Sequence, residues 1–304
     1  MKLKVTEAAA RPDSPQNDRS VERRWAANGE AAAPADLELR ILLRFTRSLP
    51  RARGAVRLAA LARRIYLRKR RPPVVAEVAG FTMKLDPADW VQGGVLFWPQ
   101  LWDYREFQFL SRNLRKGDTF LDIGAHVGFN SLIASRVVGP DGFVLAVEAA
   151  PDLFDKLRGN LEINQVMNVR AVNRAVSDRD GVMMLSRPMP ENSAGRSLLP
   201  GDREGTPVQC APLAELVREF GVTRISGAWL EIAGAEFMVL NRYFQECPQA
   251  LWPGFLMVED NPGWAPQAGG DVFALLRDRG YTEERIQAAP SDQIRNRAFI
   301  RLRR

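Results

Sequence analysis

Residues 119–130 read TFLDIGAHVGFN, and this stretch decides the fold. It begins with a short apolar run of the kind that forms a buried strand. Two glycines, Gly124 and Gly128, follow in a turn, and apolar residues then recur at helical spacing from Phe129 onward. In an open α/β sheet, ligands bind outside the carboxyl ends of the strands. The stretch therefore predicts a ligand-binding α/β domain with its site at this turn.

Strand and helix patterns alternate through the rest of the chain, which favours a largely parallel sheet. The sequence predicts strands near 118–122, 142–148, 168–176, 226–232, 253–259, 281–287 and 296–302. It predicts helices near 127–138, 151–163, 211–221, 234–246 and 270–279, with residues 88–115 also helical. It predicts a hairpin over 74–85, and a loop over 182–210 flanked by a short antiparallel pair. The predicted fold is α/β: a Rossmann-like, doubly wound, mostly parallel sheet of seven strands.

The spacing of the two glycines argues against a dinucleotide site. That fingerprint needs G-x-G-x-x-G, whereas this turn reads Gly124-x-x-x-Gly128 and has Ala125 after its first glycine. Asp122, at the strand end, would repel a pyrophosphate and attract the ammonium group of a methionine moiety. This pattern predicts S-adenosyl-L-methionine (SAM) as cofactor, bound by Asp122, Gly124, Ala125, His126 and Gly128.

The ends of the next two strands supply the other predicted cofactor residues. Glu148 ends the second strand, where a carboxylate can accept hydrogen bonds from both ribose hydroxyls. Nicotinamide enzymes also place an acid here, so Glu148 alone does not separate the two cofactors. Ala149 follows it in the sequence and is predicted to line the same pocket. Ala175 and Val176 close the third strand and are predicted to supply backbone groups and an apolar wall for the adenine.

Over approximately residues 78–260, the chain resembles the FkbM family of methyltransferases. The resemblance is carried by the 121–128 block, Val147-Glu148, Asn160 and Asn164, the turn 175–178, and Gly234-Ala235-Glu236. It implies a class I methyltransferase sheet and SAM as cofactor. It also implies O-methylation of a hydroxyl on a sugar, lipid or other small molecule.

The fourth-strand motif departs from this family and bears on catalysis. Where family members typically read KIDVEGAE, residues 229–236 read WLEIAGAE. The first acid is kept as Glu231, the middle acid is replaced by Ala233, and the last acid is Glu236. A general base can contribute about 10²–10⁴-fold to the transfer by removing the hydroxyl proton. Glu231 is the first candidate, followed by Glu236 and then Glu259.

Three further features lie near the predicted site. His126, the one histidine of the chain, is either a general base or a turn residue that contacts the methionine carboxylate or the loop backbone. Trp98 or Trp102 is either part of the core or a roof over the cofactor. Residues 192–198 read NSAGRSL and resemble a family loop near the acceptor, and loops of this kind commonly carry specificity.

The basic character of the chain is concentrated at its N-terminal end. Residues 1–75 carry a net charge of +11 and the remainder carries −4. We therefore predict three segments: a disordered tail (1–35), a basic helical extension (36–73) and the methyltransferase domain (74–304). In the extension, apolar residues recur on one face of each of two helices: Leu37, Ile41, Phe45 and Leu49, then Leu58, Leu61, Ala62 and Ile65. These helices either contact anionic lipid weakly or cap the main domain.

Composition limits the remaining possibilities. No apolar run approaches a membrane span, the residues at the start lack a signal peptide pattern, and Cys210 and Cys247 have no disulfide or metal-site spacing. We therefore expect a cytoplasmic protein that binds no metal and no nucleic acid. Three functions compete: SAM-dependent O-methyl transfer to a small hydroxylated molecule, a catalytically silent SAM-binding module, and a nicotinamide-dependent oxidoreductase.

Overall fold

The structure, a computed structural model, describes residues 33–50, 52, 54–69, 72–102, 104–187, 192–198, 204–260, 269–284, 286 and 295–301. Its helices are α1 (Leu37–Ser48), α2 (Ala55–Tyr66), α3 (Trp90–Phe97), α4 (Tyr104–Asn113), α5 (Phe129–Val138), α6 (Pro151–Ile163), α7 (Leu213–Glu219), α8 (Glu236–Glu246) and α9 (Val272–Asp278). None of these helices has the length and apolar character that crossing a lipid bilayer requires. Its strands are β1 (Ala33–Pro34), β2 (Val74–Val78), β3 (Phe81–Leu85), β4 (Thr119–Ile123), β5 (Phe143–Val147), β6 (Val169–Val172), β7 (Ala175–Ser177), β8 (Gly181–Ser186), β9 (Gly205–Pro212), β10 (Gly227–Leu230), β11 (Phe255–Asp260), β12 (Tyr281–Glu284) and β13 (Arg295–Arg301).

Seven of these strands form the central sheet, in the order β12-β13-β11-β10-β4-β5-β6. Strand β13 runs antiparallel to the other six strands of this sheet. The chain builds outward from β4 through β5 to β6 and then returns to place β10 on the other side of β4. Strand order therefore reverses between β4 and β10, which is where an open α/β sheet binds its ligand. The predicted seven-stranded α/β fold is confirmed.

Helices cover both faces of this sheet because the side chains of a buried strand alternate between its faces. Leu121 and Leu145 point to one face and pack with α7 and α8. Phe120 and Val144 point to the other face and pack with α4 and α5. Burial of one such side chain contributes about 1.5–3 kcal/mol. The continuous apolar runs of β4 and β5 thus hold the cofactor turn on a rigid layer.

The structure corrects three of the predicted elements. The strand predicted over 168–176 is two strands, because the chain leaves the central sheet after Val172, and Ala175 pairs with Cys210 of β9. The helical segment 88–115 is two helices, since α3 ends at Phe97 and α4 begins at Tyr104. Most of the predicted disordered tail lies outside the described residues. Its last part does not fit that prediction, because β1 pairs in parallel with β2.

The two N-terminal helices turn most of the apolar residues singled out in the sequence away from the protein. Leu37, Ile41 and Phe45 of α1 are exposed, and so are Leu58, Leu61 and Ile65 of α2. The buried side chains are instead Leu39, Leu43 and Thr46 on α1 and Ala55, Ala59, Ala62, Arg63 and Tyr66 on α2. Both helices pack on α3 through these inner faces. They do cover part of the main domain, but the larger apolar side chains face outward.

Two asparagines join the hairpin to the cofactor domain. The Asn160 side chain accepts a hydrogen bond from the Lys84 amide (2.8 Å) and donates one to the Val127 carbonyl (2.9 Å). One helical turn later, Asn164 accepts from the Thr82 amide and donates to its carbonyl. The side chains of α6 thus replace a neighbouring strand along the free edge of β3, and this satisfies backbone groups that would otherwise be unpaired. Asn160 also fixes the second half of the cofactor turn.

We expect Asn160→Ala to lower the free energy of unfolding by about 3 kcal/mol, because it leaves buried backbone groups of Lys84 and Val127 without partners. Urea denaturation followed by circular dichroism measures this loss. Asn113→Ala is the matched control: its amide donates to Phe109 one turn earlier in its own helix, so the expected change is under about 1 kcal/mol. Equal losses for the two variants would contradict the tethering role.

Candidate active site

Three carboxylates lie at the carboxyl ends of adjacent central strands. Asp122 lies near the end of β4, Glu148 follows β5, and Glu231 follows β10. Asp122 pairs in register with Ala146 on one side and Trp229 on the other. The structure therefore brings together the first three acids that the sequence analysis selected. They surround the turn between β4 and α5 at the point where strand order reverses.

The turn itself has a backbone that few residues other than glycine adopt. Gly124 and Gly128 have φ values of 92° and 90°, and His126 has a φ of 52°. A Cβ atom on Gly124 would lie 2.1 Å from the carbonyl oxygen of Glu231. Position 124 therefore requires glycine for two reasons: its φ is positive, and the ends of two strands pack too closely for a side chain. This contact also places the Glu231 backbone directly beside the turn.

The carboxylate of Glu148 accepts hydrogen bonds from backbone amides of the turn and can accept further ones from a ligand. One oxygen accepts a hydrogen bond from the His126 amide and the other accepts one from the Ala150 amide, both at 2.8 Å. Burial raises the pKa of Glu148, and these amide bonds partly offset that effect. An ionised carboxylate has about four acceptor positions. Two positions are thus left for the paired hydroxyls of a ribose.

Asp122 is the most deeply buried of the three acids. It is 2% exposed and accepts a hydrogen bond from the Ser131 hydroxyl of α5. Burial, together with repulsion from the nearby Glu231 and Glu148 carboxylates, raises the pKa of Asp122 to about 7, although the Ser131 hydrogen bond partly offsets this. A cationic ligand at this edge would relieve the repulsion among the three groups.

We expect the free energy of unfolding of the ligand-free protein to depend on pH because Asp122 is buried. The pKa of Asp122 is about 7 in the folded chain against an ordinary value of 3.8. Between these two values the unfolded chain is ionised at this residue while the folded chain holds the proton, so stability falls as pH rises from about 4 to 7. Asp122→Asn removes this loss. The variant should gain roughly 2–4 kcal/mol over the wild type across that window.

Thermal unfolding at pH 4 to 8 measures this gain. Asp155→Asn, at an exposed position of α6, is the control and should show no such trend. A difference between Asp122→Asn and wild type that does not change with pH would exclude a raised pKa for Asp122.

Glu231 and Glu236 differ in what their carboxyl groups contact. Glu231 is half-buried and accepts a hydrogen bond from the Asn296 side chain of β13 at 2.9 Å. Burial raises the pKa of Glu231, partly offset by that bond. Glu236 begins α8 and accepts from the Ile232 amide at 3.0 Å, and burial raises its pKa to about 7. Glu236 therefore holds the loop after β10, whereas Glu231 is the more accessible acid. Glu259, the third candidate, pairs in register with Asn296.

His126 connects the cofactor turn to the loop over residues 192–198. Its Nε2 lies 2.7 Å from the Ser193 hydroxyl, and the Ser193 amide donates to Asp89 at 2.7 Å. Burial, together with the cations Lys156 and Arg196, lowers the pKa of His126 to about 4, although the Asp89 carboxylate partly offsets this. The ring is thus neutral near pH 7 and is held by this contact, which favours the turn-residue interpretation over that of a general base.

The same loop reaches two further edges of the site. Arg196 forms a bidentate ion pair with Asp152 at the start of α6, at 2.5 and 2.7 Å. The Ser197 hydroxyl donates to the Ala233 carbonyl at 3.0 Å. Bidentate arginine–carboxylate pairs fix geometry well. Residues 192–198 therefore lie beside the site and contact the loops that follow β4 and β10 and the first turn of α6.

Some predicted residues lie away from this edge. Ala175 and Val176 are buried in β7, which pairs with β9 in a separate sheet. Trp98 is 1% exposed and packs against neighbouring aromatic rings, which supports the core interpretation. Trp102 is partly buried against the same cluster.

Three polar residues of the site were missed by the sequence analysis: Ser131, Asn296 and Asn173, whose amide donates to the carbonyls of Glu148 and Ala149. Ser131 lies one turn after Gly128, and a buried serine next to a strand acid was a usable signal. The partners of Asn296 and Asn173 are far away in the sequence and gave none.

A doubly wound sheet with one reversed strand, and a site of carboxylates at its switch point, define the class I methyltransferase fold. Residues 122–282 match the family model described as the methyltransferase FkbM domain. The chain belongs to this family. S-adenosyl-L-methionine is its cofactor, and SAM-dependent methyl transfer is its class of reaction.

Two relatives match over most of their own length. The chain is 28% identical over 199 residues to 31-O-demethyl-FK506 methyltransferase FkbM of Streptomyces tacrolimicus, covering 56% of this chain and 74% of that protein. It is 25% identical over 212 residues to methyltransferase sdnD of Sordaria araneosa, covering 59% and 80%. Other relatives are matched over 14% to 50% of their length. Fibrillarin of Aeropyrum pernix with bound SAM aligns with a TM-score of 0.38 and 15% identity, covering 62% of this chain and 68% of that one.

The residues at the switch point fit the cofactor chemically. Glu148 has acceptor positions for two ribose hydroxyls, and the carboxyl group of Asp122 would stabilise the positive ammonium group of a methionine moiety. These residues would hold it together with the turn backbone of Gly124, His126 and Gly128.

Proposed function

We propose that this chain transfers a methyl group to a hydroxyl oxygen of a small organic molecule, with Glu231 as general base. The observation that carries the proposal is the position of Glu231. Its carboxyl group is half-buried at the end of β10, its backbone packs on Gly124 of the cofactor turn, and burial raises its pKa. A carboxylate with a raised pKa is a stronger base than an exposed one.

The relatives support oxygen as the methylated atom. The Streptomyces relative is named for 31-O-demethyl-FK506, a substrate from which a methyl group on oxygen is absent. The chain keeps an acid at the first acidic position of the fourth-strand motif, as Glu231. Ala233 stands at the position of the second, so the proposal assigns proton removal to Glu231 alone.

The proposed step needs one proton transfer and one substitution. When bound, the cofactor supplies a methyl group on a positively charged sulfur. Glu231 accepts the proton that the acceptor hydroxyl loses, and the hydroxyl oxygen receives the methyl group that the sulfonium of the bound cofactor would supply. The rate advantage comes chiefly from holding these atoms in line in a closed site. Asn296 holds the Glu231 carboxyl group in position.

The test is incorporation of labelled methyl groups into a small-molecule extract. The purified chain is incubated with SAM labelled in its methyl group, and the products are then treated with alkali. Methyl ethers survive this treatment, whereas methyl esters release volatile methanol. We expect alkali-stable label that disappears when acceptor hydroxyls are blocked by prior acetylation. Alkali-labile label would indicate carboxyl methylation and would contradict the proposal.

A silent SAM-binding module is the second candidate, and one observation favours it. Ala233 is buried, has a φ of 55° and supplies no carboxyl group at a position where the family carries an acid. Micromolar binding of S-adenosylhomocysteine, without label transfer to any extract, would favour this candidate.

We also propose that the chain acts in the cytoplasm. Cys210 and Cys247 are both buried free thiols, as expected in a reducing compartment. Fractionation of cells that express the full chain tests this location, and recovery from an extracellular fraction would contradict it.

A further inference from the structure

The outer faces of helices α1 and α2 carry a large share of the exposed apolar side chains. Ten large hydrophobic residues are exposed among the described residues. Six of these lie on the two helices: Leu37, Ile41 and Phe45 on α1, and Leu58, Leu61 and Ile65 on α2. Their exposed fractions run from 38% to 72%. We call these six residues the outer apolar face. A concentration of this kind marks an interaction surface rather than chance exposure.

Polar contacts fix which face of each helix is turned inward. On α1, the Thr46 hydroxyl donates to the Phe97 carbonyl and Arg47 donates to the Leu96 carbonyl. On α2, Arg63 donates to the carbonyls of Pro87 and Ala88. These contacts satisfy carbonyl groups at both ends of the α3 region. The two helices are therefore held side by side on the domain, with the outer apolar face away from it.

The charges around this face are almost all positive. Residues 37–70 contain eleven Lys and Arg residues and one acidic residue. Arg47 and Arg63 point inward, while the side chains of Arg40, Arg44, Arg57, Arg64, Arg68 and Lys69 are exposed. Arg40 lies three residues after Leu37 and Arg44 lies three residues after Ile41, so each arginine is next to an apolar residue on the helix surface. A spacing of three or four residues relates Arg57, Arg64 and Arg68 to the apolar residues of α2.

We propose that α1 and α2 form a docking surface for anionic lipid membranes. An apolar stripe flanked by arginines is the arrangement that lies flat in a membrane interface, with its apolar side chains about 5–10 Å deep. Long arginine side chains reach from such a depth to the headgroups. The excess of positive charge selects anionic headgroups over zwitterionic ones. This surface is independent of which atom the enzyme methylates.

Hydrogen bonds connect the docking surface to the active site. Helix α3, on which α1 and α2 pack, begins directly after Asp89, and Asp89 accepts a hydrogen bond from the Ser193 amide. Ser193 in turn contacts His126 of the cofactor turn. The docking surface is therefore connected through one helix to the loop beside the site.

The test is sedimentation of the full chain with vesicles. Vesicles of equal parts phosphatidylglycerol and phosphatidylcholine are compared with vesicles of phosphatidylcholine alone, at low and at 0.5 M salt. We expect binding to the anionic vesicles at low salt, little binding to the neutral ones, and release by salt. Each cation near an anionic surface contributes about fivefold to binding. Arg40→Gln with Arg44→Gln, Arg57→Gln and Arg64→Gln should thus weaken binding by more than about 100-fold.

Two further variants test whether binding requires the outer apolar face or any exposed apolar side chain. Ile41→Ser with Phe45→Ser, Leu58→Ser and Leu61→Ser should abolish binding. The control, Met167→Ser with Val182→Ser, removes exposed apolar side chains elsewhere and should bind as the wild type does. All variants should keep the thermal midpoint and the affinity for S-adenosylhomocysteine, because the altered side chains are exposed. Absence of binding by the full chain would overturn the proposal. So would wild-type binding by both the arginine and the serine variants, or self-association without vesicles that the serine variant removes.

Discussion

Glu148→Ala is expected to raise the dissociation constant of S-adenosylhomocysteine at least about 100-fold. Each hydrogen bond to a charged group contributes about 1.5–3 kcal/mol, and Glu148 has acceptor positions for two ribose hydroxyls. The variant also leaves the amides of His126 and Ala150 without their acceptor, so the turn itself should loosen. Titration calorimetry measures the affinity, and S-adenosylhomocysteine is used because it cannot be turned over.

Two companion variants test whether the loss of affinity comes from the Glu148 carboxylate itself. Glu148→Gln keeps one acceptor oxygen and should lose less affinity than the alanine variant. Glu162→Gln lies on the exposed face of α6 and should bind like the wild type. An affinity of Glu148→Ala within threefold of the wild type would show that the ribose binds elsewhere.

Glu231→Gln is expected to lower kcat by about 10²–10⁴-fold while the affinity for S-adenosylhomocysteine stays within threefold. The glutamine keeps the size of the side chain and can still accept from Asn296, but it cannot take up a proton. In the wild type, kcat should rise with pH as the Glu231 carboxyl group, whose pKa burial raises, becomes ionised. This dependence should be absent from the variant.

Two further substitutions make the assignment of the base specific. Glu231→Asp restores the acid typical of the family and should recover much of the lost rate. Glu236→Gln removes the charge but keeps an acceptor oxygen for the Ile232 amide, so it should leave the pH dependence of kcat unchanged. If the pH dependence disappears in Glu236→Gln and persists in Glu231→Gln, the roles of the two acids are reversed.

The central fold was predictable because its signals are local. The apolar run before Gly124, the two glycines and the helical spacing after them are contiguous in the sequence, and strand–helix alternation gave the remaining central strands. Glu148 and Glu231 were predictable for the same reason, since each follows an apolar run at a strand end. The predicted residues that meet at the switch point are therefore those next to strand ends.

The packing of the N-terminal helices was not predictable from periodicity. Helix α1 carries two apolar faces: Leu37, Ile41 and Phe45 on one, and Leu39 and Leu43 on the other. A four-residue repeat identifies an apolar face, but it does not say which of two faces meets the protein. Contacts with α3 decide this, and their partners lie about 50 residues away in the sequence.

Hydrogen bonds between residues far apart in the sequence could not be predicted, for a related reason. Ser193 and Asp89 are 104 residues apart, and Asn296 and Glu231 are 65 apart. Nothing in the local sequence of a serine or an asparagine names its partner. Asn160 and Asn164 were selected through the family resemblance, yet their role along the edge of β3 becomes evident only when the hairpin lies next to α6.

Because Asp122 is buried, binding of the positively charged cofactor should release a proton. Without a ligand, Asp122 holds a proton up to about pH 7 because its charge is poorly solvated. When positive charge arrives at this edge, Asp122 ionises and the proton passes to the buffer. The heat of binding should therefore differ between buffers of different ionisation enthalpy at pH 6, and the affinity for SAM should increase towards pH 8. The fraction of enzyme carrying the methyl donor would then follow the acidity of its surroundings, even at a constant supply of SAM.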